Sequence, residues 1–85
     1  MYNIVIRKQA KKKLQSLSAS VRVRIAEKIV RLGHNPDDPS LDIKKLLSQP
    51  YFRLRVGDWR IIFDKQEELK VISIEKIGAR GDVYK

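Results

Sequence analysis

Cysteine is missing from this 85-residue sequence, and histidine occurs once. The first absence excludes a disulfide framework, thiolate zinc sites and a cysteine nucleophile; the second leaves too few imidazoles for a histidine metal cluster. There is no glycine-rich phosphate loop and no Ser/His/Asp set, so no metal and no other cofactor is expected. Long apolar runs are missing as well. They reach only a few residues, and Arg7 and Lys8 interrupt the start of the chain before a hydrophobic signal core can form. The sequence therefore predicts neither a membrane span nor a secretory signal, and a cytoplasmic location. Its length leaves room for one domain, residues 1–85, which buries roughly 60% of its unfolded surface and has a thin stability margin.

Acidic residues are scarce against basic ones: ten Asp and Glu face nineteen Lys and Arg, for a formal charge of +9. A field of that size on so small a body favours polyanionic partners. The excess is lopsided, since Met1 to Leu32 carries +8 and Gly33 to Lys85 only +1. Lys11, Lys12, Lys13, Arg22 and Arg24 lie in the basic half. The plainer reading of such a run is a solvated helix face that adds solubility; the sharper one is a patch that grips nucleic-acid phosphates.

Periodicity divides the chain. Tyr2 to Ile6, rich in Ile and Val, predicts a first strand. Ala10, Leu14 and Leu17 then share one face of a helix ending near Leu17, with Lys11, Lys12 and Lys13 pointing elsewhere. Ser18 and Ser20 suit an N-cap, and Val21, Ile25, Ile29 and Leu32 line a second helix that Gly33 should stop in a left-handed C-cap, with His34 beside it as a cap. His34 to Ser40 reads as an exposed loop. Ile43, Leu46 and Leu47 suggest a short turn or helix before Pro50. From Phe52 the period is two: Phe52, Leu54 and Val56 alternate with Arg53 and Arg55, Gly57-Asp58 supplies a turn, and Trp59 to Phe63 forms the antiparallel partner. Leu69 to Ile77 is a further strand, broken by Gly78-Ala79-Arg80-Gly81. The fold expected is α+β: an N-terminal strand, a two-helix hairpin, then a three- to four-stranded mainly antiparallel sheet with the helices on one face.

Helices on one face leave the other open, and Arg53 and Arg55 are neighbours there. Arg60, across the turn, comes opposite them if the register allows. Three like charges on adjacent strands cost stability unless an anion neutralises them, as a phosphate would, or unless Asp58, Asp64 and Glu75 pair with them. Tyr84 and Arg80 extend the same reading. A phenol near cations loses its proton more readily, and a guanidinium clamps phosphate; the plainer roles are packing and solvation. Trp59 is most simply core. Tyr2 and Tyr51 could stack a base or merely pack.

The run Tyr51-Phe52-Arg53-Leu54-Arg55-Val56-Gly57-Asp58-Trp59-Arg60-Ile61-Ile62-Phe63, followed by Ile77-Gly78-Ala79-Arg80-Gly81-Asp82-Val83-Tyr84, resembles the RelE/ParE superfamily of toxin–antitoxin toxins over nearly the whole chain. The tail with Arg80 and Tyr84 looks more like RelE, whose members cut messenger RNA in the ribosomal A site, than like ParE, whose members poison DNA gyrase. The resemblance implies a metal-independent endoribonuclease in which the ribose 2′-hydroxyl attacks the adjacent phosphorus. It implies that Tyr84 orients or deprotonates that hydroxyl, Arg60 holds the scissile phosphate, and Arg80 stabilises charge or protonates the leaving group. Arg53 and Arg55 stand where well-studied RelE-type enzymes carry lysines. A guanidinium stays protonated, so they are expected to act in electrostatics and binding. The implied partners are a cognate acidic antitoxin, RelB-like, that folds on binding; the ribosome with its A-site mRNA and ribosomal RNA, gripped by Lys11, Lys12, Lys13, Arg22 and Arg24; and operator DNA, mainly through the antitoxin. The implied alternatives are a gyrase inhibitor or a basic nucleic-acid-binding module that is not a toxin.

Overall fold

The helical spacings appear as α1 (Lys8–Ser16) and α2 (Ala19–His34) in a computed structural model that describes residues 1–79. A strand, β1 (Asn3–Ile6), precedes them, and β2 (Asp42–Lys45), β3 (Phe52–Val56), β4 (Trp59–Gln66) and β5 (Val71–Ala79) follow. All five strands join one sheet in the order β1-β5-β4-β3-β2. Every neighbouring pair is antiparallel except β1 with β5.

The apolar stripes of the helices meet one face of that sheet. Ala10 from α1 and Ile25, Ile29 and Leu32 from α2 pack with Leu54, Val56, Ile61, Phe63, Ile72, Ile74 and Ile77 in a single cluster. Phe63 also stacks on Phe52 at a centroid distance of 5.5 Å. Ile25, Leu32, Leu54 and Ile61 are completely enclosed. Truncating any one of them to alanine costs about 2–5 kcal/mol, a large share of a small domain's stability.

The α+β architecture with helices on one face is as the sequence predicts, with one strand more than expected. That strand is β2, where Ile43, Leu46 and Leu47 suggested a turn or helix. Only Ile43 of the three packs against the core cluster; it lies opposite Leu54 in the ladder, while Leu47 is fully exposed. The Leu46 amide donates to the Tyr51 carbonyl at 3.0 Å and closes the hairpin. Cross-strand pairing with β3 thus overrides the three-residue spacing.

Gly33 also serves a different purpose from the one expected. It lies buried inside α2, which continues to His34 with Asn35 as its C-cap. A methyl group on Gly33 would stand 3.1 Å from the Ile4 side chain, and the Gly33 carbonyl accepts the Tyr2 amide at 2.8 Å. The glycine lets β1 approach the helix closely. Nor does Gly78 break the last strand: β5 runs through it to Ala79.

The chain's start is tied to the β4–β5 turn through Tyr2, whose hydroxyl donates to Glu67. Lys65 and Lys70 lie 3.2 and 3.8 Å from the same carboxylate. The Tyr2 hydroxyl first, and then Lys65, hold the Glu67 carboxyl below the usual carboxylate range, and the same bond raises the Tyr2 phenol.

Two expectations follow. Gly33→Val should destabilise the protein by about 1–3 kcal/mol in urea unfolding, because the added methyl groups meet Ile4. Glu67 has a depressed folded pKa, so its stabilising contribution is complete above its unfolded pKa of about 4.3 and lost as pH falls through the folded value. In Tyr2→Phe, NMR titration should find the Glu67 carboxyl nearer its ordinary value, and the stability gap to the wild type should narrow as the solution is acidified.

Candidate nucleic-acid interface

The alternation in β3 that buries Leu54 and Val56 sends Arg53 and Arg55 to the helix-free face. The connection to β4 is the two-residue turn Gly57-Asp58. Gly57 has φ 60°, the positive value that the first central position of a II′ hairpin turn requires. This short turn leaves one register, in which Arg55 lies directly opposite Arg60. On its other side Arg60 faces Gly78, which has no side chain to compete for the space. The next row holds Lys44, Arg53, Ile62 and Lys76.

The three arginines differ in how their charge is met. Arg55 Nε donates to the Gly57 carbonyl at 3.2 Å, and Arg60 donates to the Gly57 and Trp59 carbonyls, both at 3.4 Å. Among the described residues, neither has a carboxylate within ion-pair distance. Arg53 instead pairs with Asp42 of β2 at 2.9 Å, with its side chain 16% exposed and its Nε buried without a hydrogen-bond partner. Of the counterions considered from the sequence, Asp58 makes no ion pair among the described residues and the other two bond elsewhere. Glu75 accepts from Ser73 at 2.7 Å and lies 3.8 Å from Arg7, and Asp64 accepts from Gln66 at 3.3 Å. Asp42 was not a candidate, because its position opposite Arg55 and beside Arg53 exists only once β2 is a strand.

The helical cations divide too. Arg24 reaches the β3–β4 turn: a methyl group on Gly57 would stand 3.2 Å from its guanidinium. The Lys13 ammonium lies 5.9 Å from the centre of the Trp59 ring, at the same end of the hairpin. Basic residues far from the sheet in sequence thus gather around the turn that carries Arg55 and Arg60. Arg22 donates to the Leu17 carbonyl at 3.2 Å and fastens the end of α1. Lys11 and Lys12 are exposed on α1. Arg80 and Tyr84 lie outside the described residues.

A groove of about 450 Å3 lies on the outer side of α2 between Val23, Ala26, Glu27, Val30, Arg31 and His34. Val23 and Val30 there are more than half exposed. A smaller hollow on the helix-free face involves Tyr51 and Ile62. Among the described residues no helix is long and apolar enough to cross a membrane. Arg55 is exposed and Arg60 half-buried, so among the described residues the pair can meet a flat or extended anion such as a polymer backbone.

This sheet, with paired helices behind and arginines in front, is the architecture of RelE toxins. The RelE–RelB complex from Pyrococcus horikoshii superposes with a TM-score of 0.82 at 34% identity, over 96% of this chain and 98% of that one. The toxin in the intact Escherichia coli RelBE complex shares the fold with a TM-score of 0.78 at 20% identity, over 93% and 96% of the two chains. The toxin named RelE1 in Methanocaldococcus jannaschii is 33% identical over 86 residues, covering 99% of this chain and 96% of that protein. The model of the ParE toxin of type II toxin–antitoxin systems matches residues 4–84. The chain therefore belongs to the RelE/ParE superfamily as a toxin of a type II toxin–antitoxin system, on the RelE-like branch.

The turn that aligns the arginines gives a direct test of the geometry. Gly57→Ala should cost about 1–2 kcal/mol in urea unfolding, because an alanine at positive φ is strained and its methyl group meets Arg24. Gly57→Asn should cost less, since asparagine tolerates that backbone conformation better.

Proposed function

We propose that this toxin is a ribosome-dependent endoribonuclease that cleaves mRNA in the ribosomal A site and so inhibits translation. The observation that carries the reading is the Arg55–Arg60 pair, directly opposite across the hairpin and without a carboxylate partner among the described residues. Two such guanidiniums form a ready site for a phosphodiester whose charge grows as it reacts. The reaction is a transesterification. The 2′-oxygen forms a new bond to phosphorus and loses its proton, while the bond from phosphorus to the 5′-oxygen breaks and that oxygen gains a proton. The products are a 2′,3′-cyclic phosphate and a free 5′-hydroxyl.

In this scheme Arg60 holds the scissile phosphate, and Arg55 adds charge on the same row. Arg53, tied to Asp42, contributes field and positioning. Tyr84 orients or deprotonates the 2′-hydroxyl, and Arg80, the residue after Ala79, stabilises the phosphorane or protonates the leaving oxygen. Lys11, Lys12, Lys13, Arg22 and Arg24 bind RNA backbone on the ribosome. The structural relatives are complexes of RelE with RelB, which supports a cognate antitoxin. An amphipathic, acidic helical segment would suit the apolar stripe of Val23 and Val30 and the surrounding positive field. Contact with operator DNA would come mainly through that antitoxin.

The second reading is a ParE-like gyrase inhibitor without nuclease activity. It is favoured by the match to the ParE toxin model and by arginines in place of the RelE-type lysines.

The test is 5′-end mapping of mRNA in an in vitro translation reaction, with naked mRNA as control. The proposal expects cuts in register with the A-site codon only on translating ribosomes, reduced about 100-fold or more in Arg60→Ala and sharply in Tyr84→Phe. Intact message with accumulated cleaved DNA–gyrase complexes would establish the second reading instead.

A further inference from the structure

One row from Arg55 and Arg60 on the helix-free face lies a hollow of about 160 Å3, lined by Gln49, Tyr51, Ile62, Glu75 and Lys76. A β-bulge creates it. Between the pairs Ile62–Lys76 and Phe63–Ile74, β5 carries one residue more than β4. Ile74 and Ile77 therefore both stay in the core cluster, although three residues separate them. The two residues between, Glu75 and Lys76, both line the hollow. A regular strand would send them to opposite faces, and bulges are a common means of re-aiming side chains beside functional sites.

The hollow is held in shape before anything enters it. Its floor, Ile62, is 2% exposed. Tyr51 is anchored by the Leu46 amide bonded to its carbonyl at 3.0 Å. Glu75 Oε2 accepts the Ser73 hydroxyl at 2.7 Å, which fixes the carboxylate, and Arg7 Nε lies 3.8 Å from the same oxygen. Lys76 has no ion pair among the described residues.

An aromatic wall, an apolar floor and a rim with an amide, a carboxylate and an ammonium match a nucleobase, which offers a flat π-face and an edge of donors and acceptors. The space suits one base. Ile62 is two residues along β4 from Arg60 on the same face, about 7 Å away, so a base here belongs to a nucleotide whose phosphate sits on or next to the arginine row.

We propose that this hollow is a nucleobase subsite: Tyr51 stacks one base of the RNA, and Gln49, Glu75 and Lys76 read its edge, selecting the base beside the phosphate on Arg55 and Arg60. The RNA as substrate rests on the nuclease reading above; the capacity to bind a base does not.

The test is an NMR titration of the 15N-labelled full chain with ribose 5-phosphate and, separately, with the four nucleoside 5′-monophosphates. Ribose 5-phosphate should shift Arg55 and Arg60 alone, whereas the nucleotides should also shift Gln49, Tyr51 and Lys76, to an extent that depends on the base. Tyr51→Ala should weaken nucleotide binding about tenfold without changing that of ribose 5-phosphate, and Tyr51→Phe, which keeps the stacking ring, should bind as the wild type does. Nucleotides that shift nothing beyond what ribose 5-phosphate shifts would overturn the subsite. Base-dependent shifts at Tyr51 with Arg55 and Arg60 silent would uphold the subsite and overturn the phosphate role given to those arginines.

Discussion

Two guanidiniums held opposite each other across a tight hairpin are the constraint around which this small protein is arranged. Arg55 and Arg60 repel, and the carboxylate that the ladder places opposite Arg55, Asp42, is paired with Arg53 instead. What holds them is the rest of the fold. Gly57 permits the two-residue turn, and Leu54 and Ile61 anchor the same two strands from behind, each completely enclosed against the helices. The Gly57 carbonyl accepts from both side chains and partly offsets the repulsion. In the nuclease reading, the RNA phosphate completes the neutralisation.

The division of the sheet into two faces follows from how few elements the chain has. Two helices cover one face; on the other, Gln49 and Tyr51 of the β2–β3 connection stand beside Ile62, while Arg55 stays exposed. Polar groups there are sorted by pairing. Arg53 is held by Asp42, and Glu75 by Ser73 and Arg7, which keeps these groups from quenching Arg55 and Arg60. The turn also collects charge from behind the sheet, where Arg24 and Lys13 approach Gly57 and Trp59. These helical cations thus stand at the same end of the hairpin as Arg55 and Arg60.

A permanently charged site has a chemical consequence. Guanidiniums at 53, 55 and 60 stabilise negative charge but do not exchange protons near neutral pH. In the nuclease reading the row therefore supplies electrostatics, and proton transfer must come from elsewhere, with Tyr84 the group assigned to it.

Much of this was legible in the sequence, and the failures share a cause. The apolar spacings in α1, α2, β3 and β4 named the core residues and put Arg53 and Arg55 on the open face, because periodicity is local and each element carries its own. Gly33 was misread as a helix stop because its reason, the approach of Ile4, comes from a strand far away in the chain. The β2 strand was missed because its support is the ladder with β3, and the Asp42–Arg53 pair was missed with it. The bulge that brings Glu75 and Lys76 to one hollow left only a faint mark, the three-residue step from Ile74 to Ile77 where a strand should alternate. Local pattern thus determined which residues form helices and strands, which sides are apolar, and the charge they carry. Register partners, the bulge, the reach of Arg24 to the turn and the hollow beside Tyr51 were decided only by the tertiary structure, since they depend on contacts between segments that the sequence keeps apart.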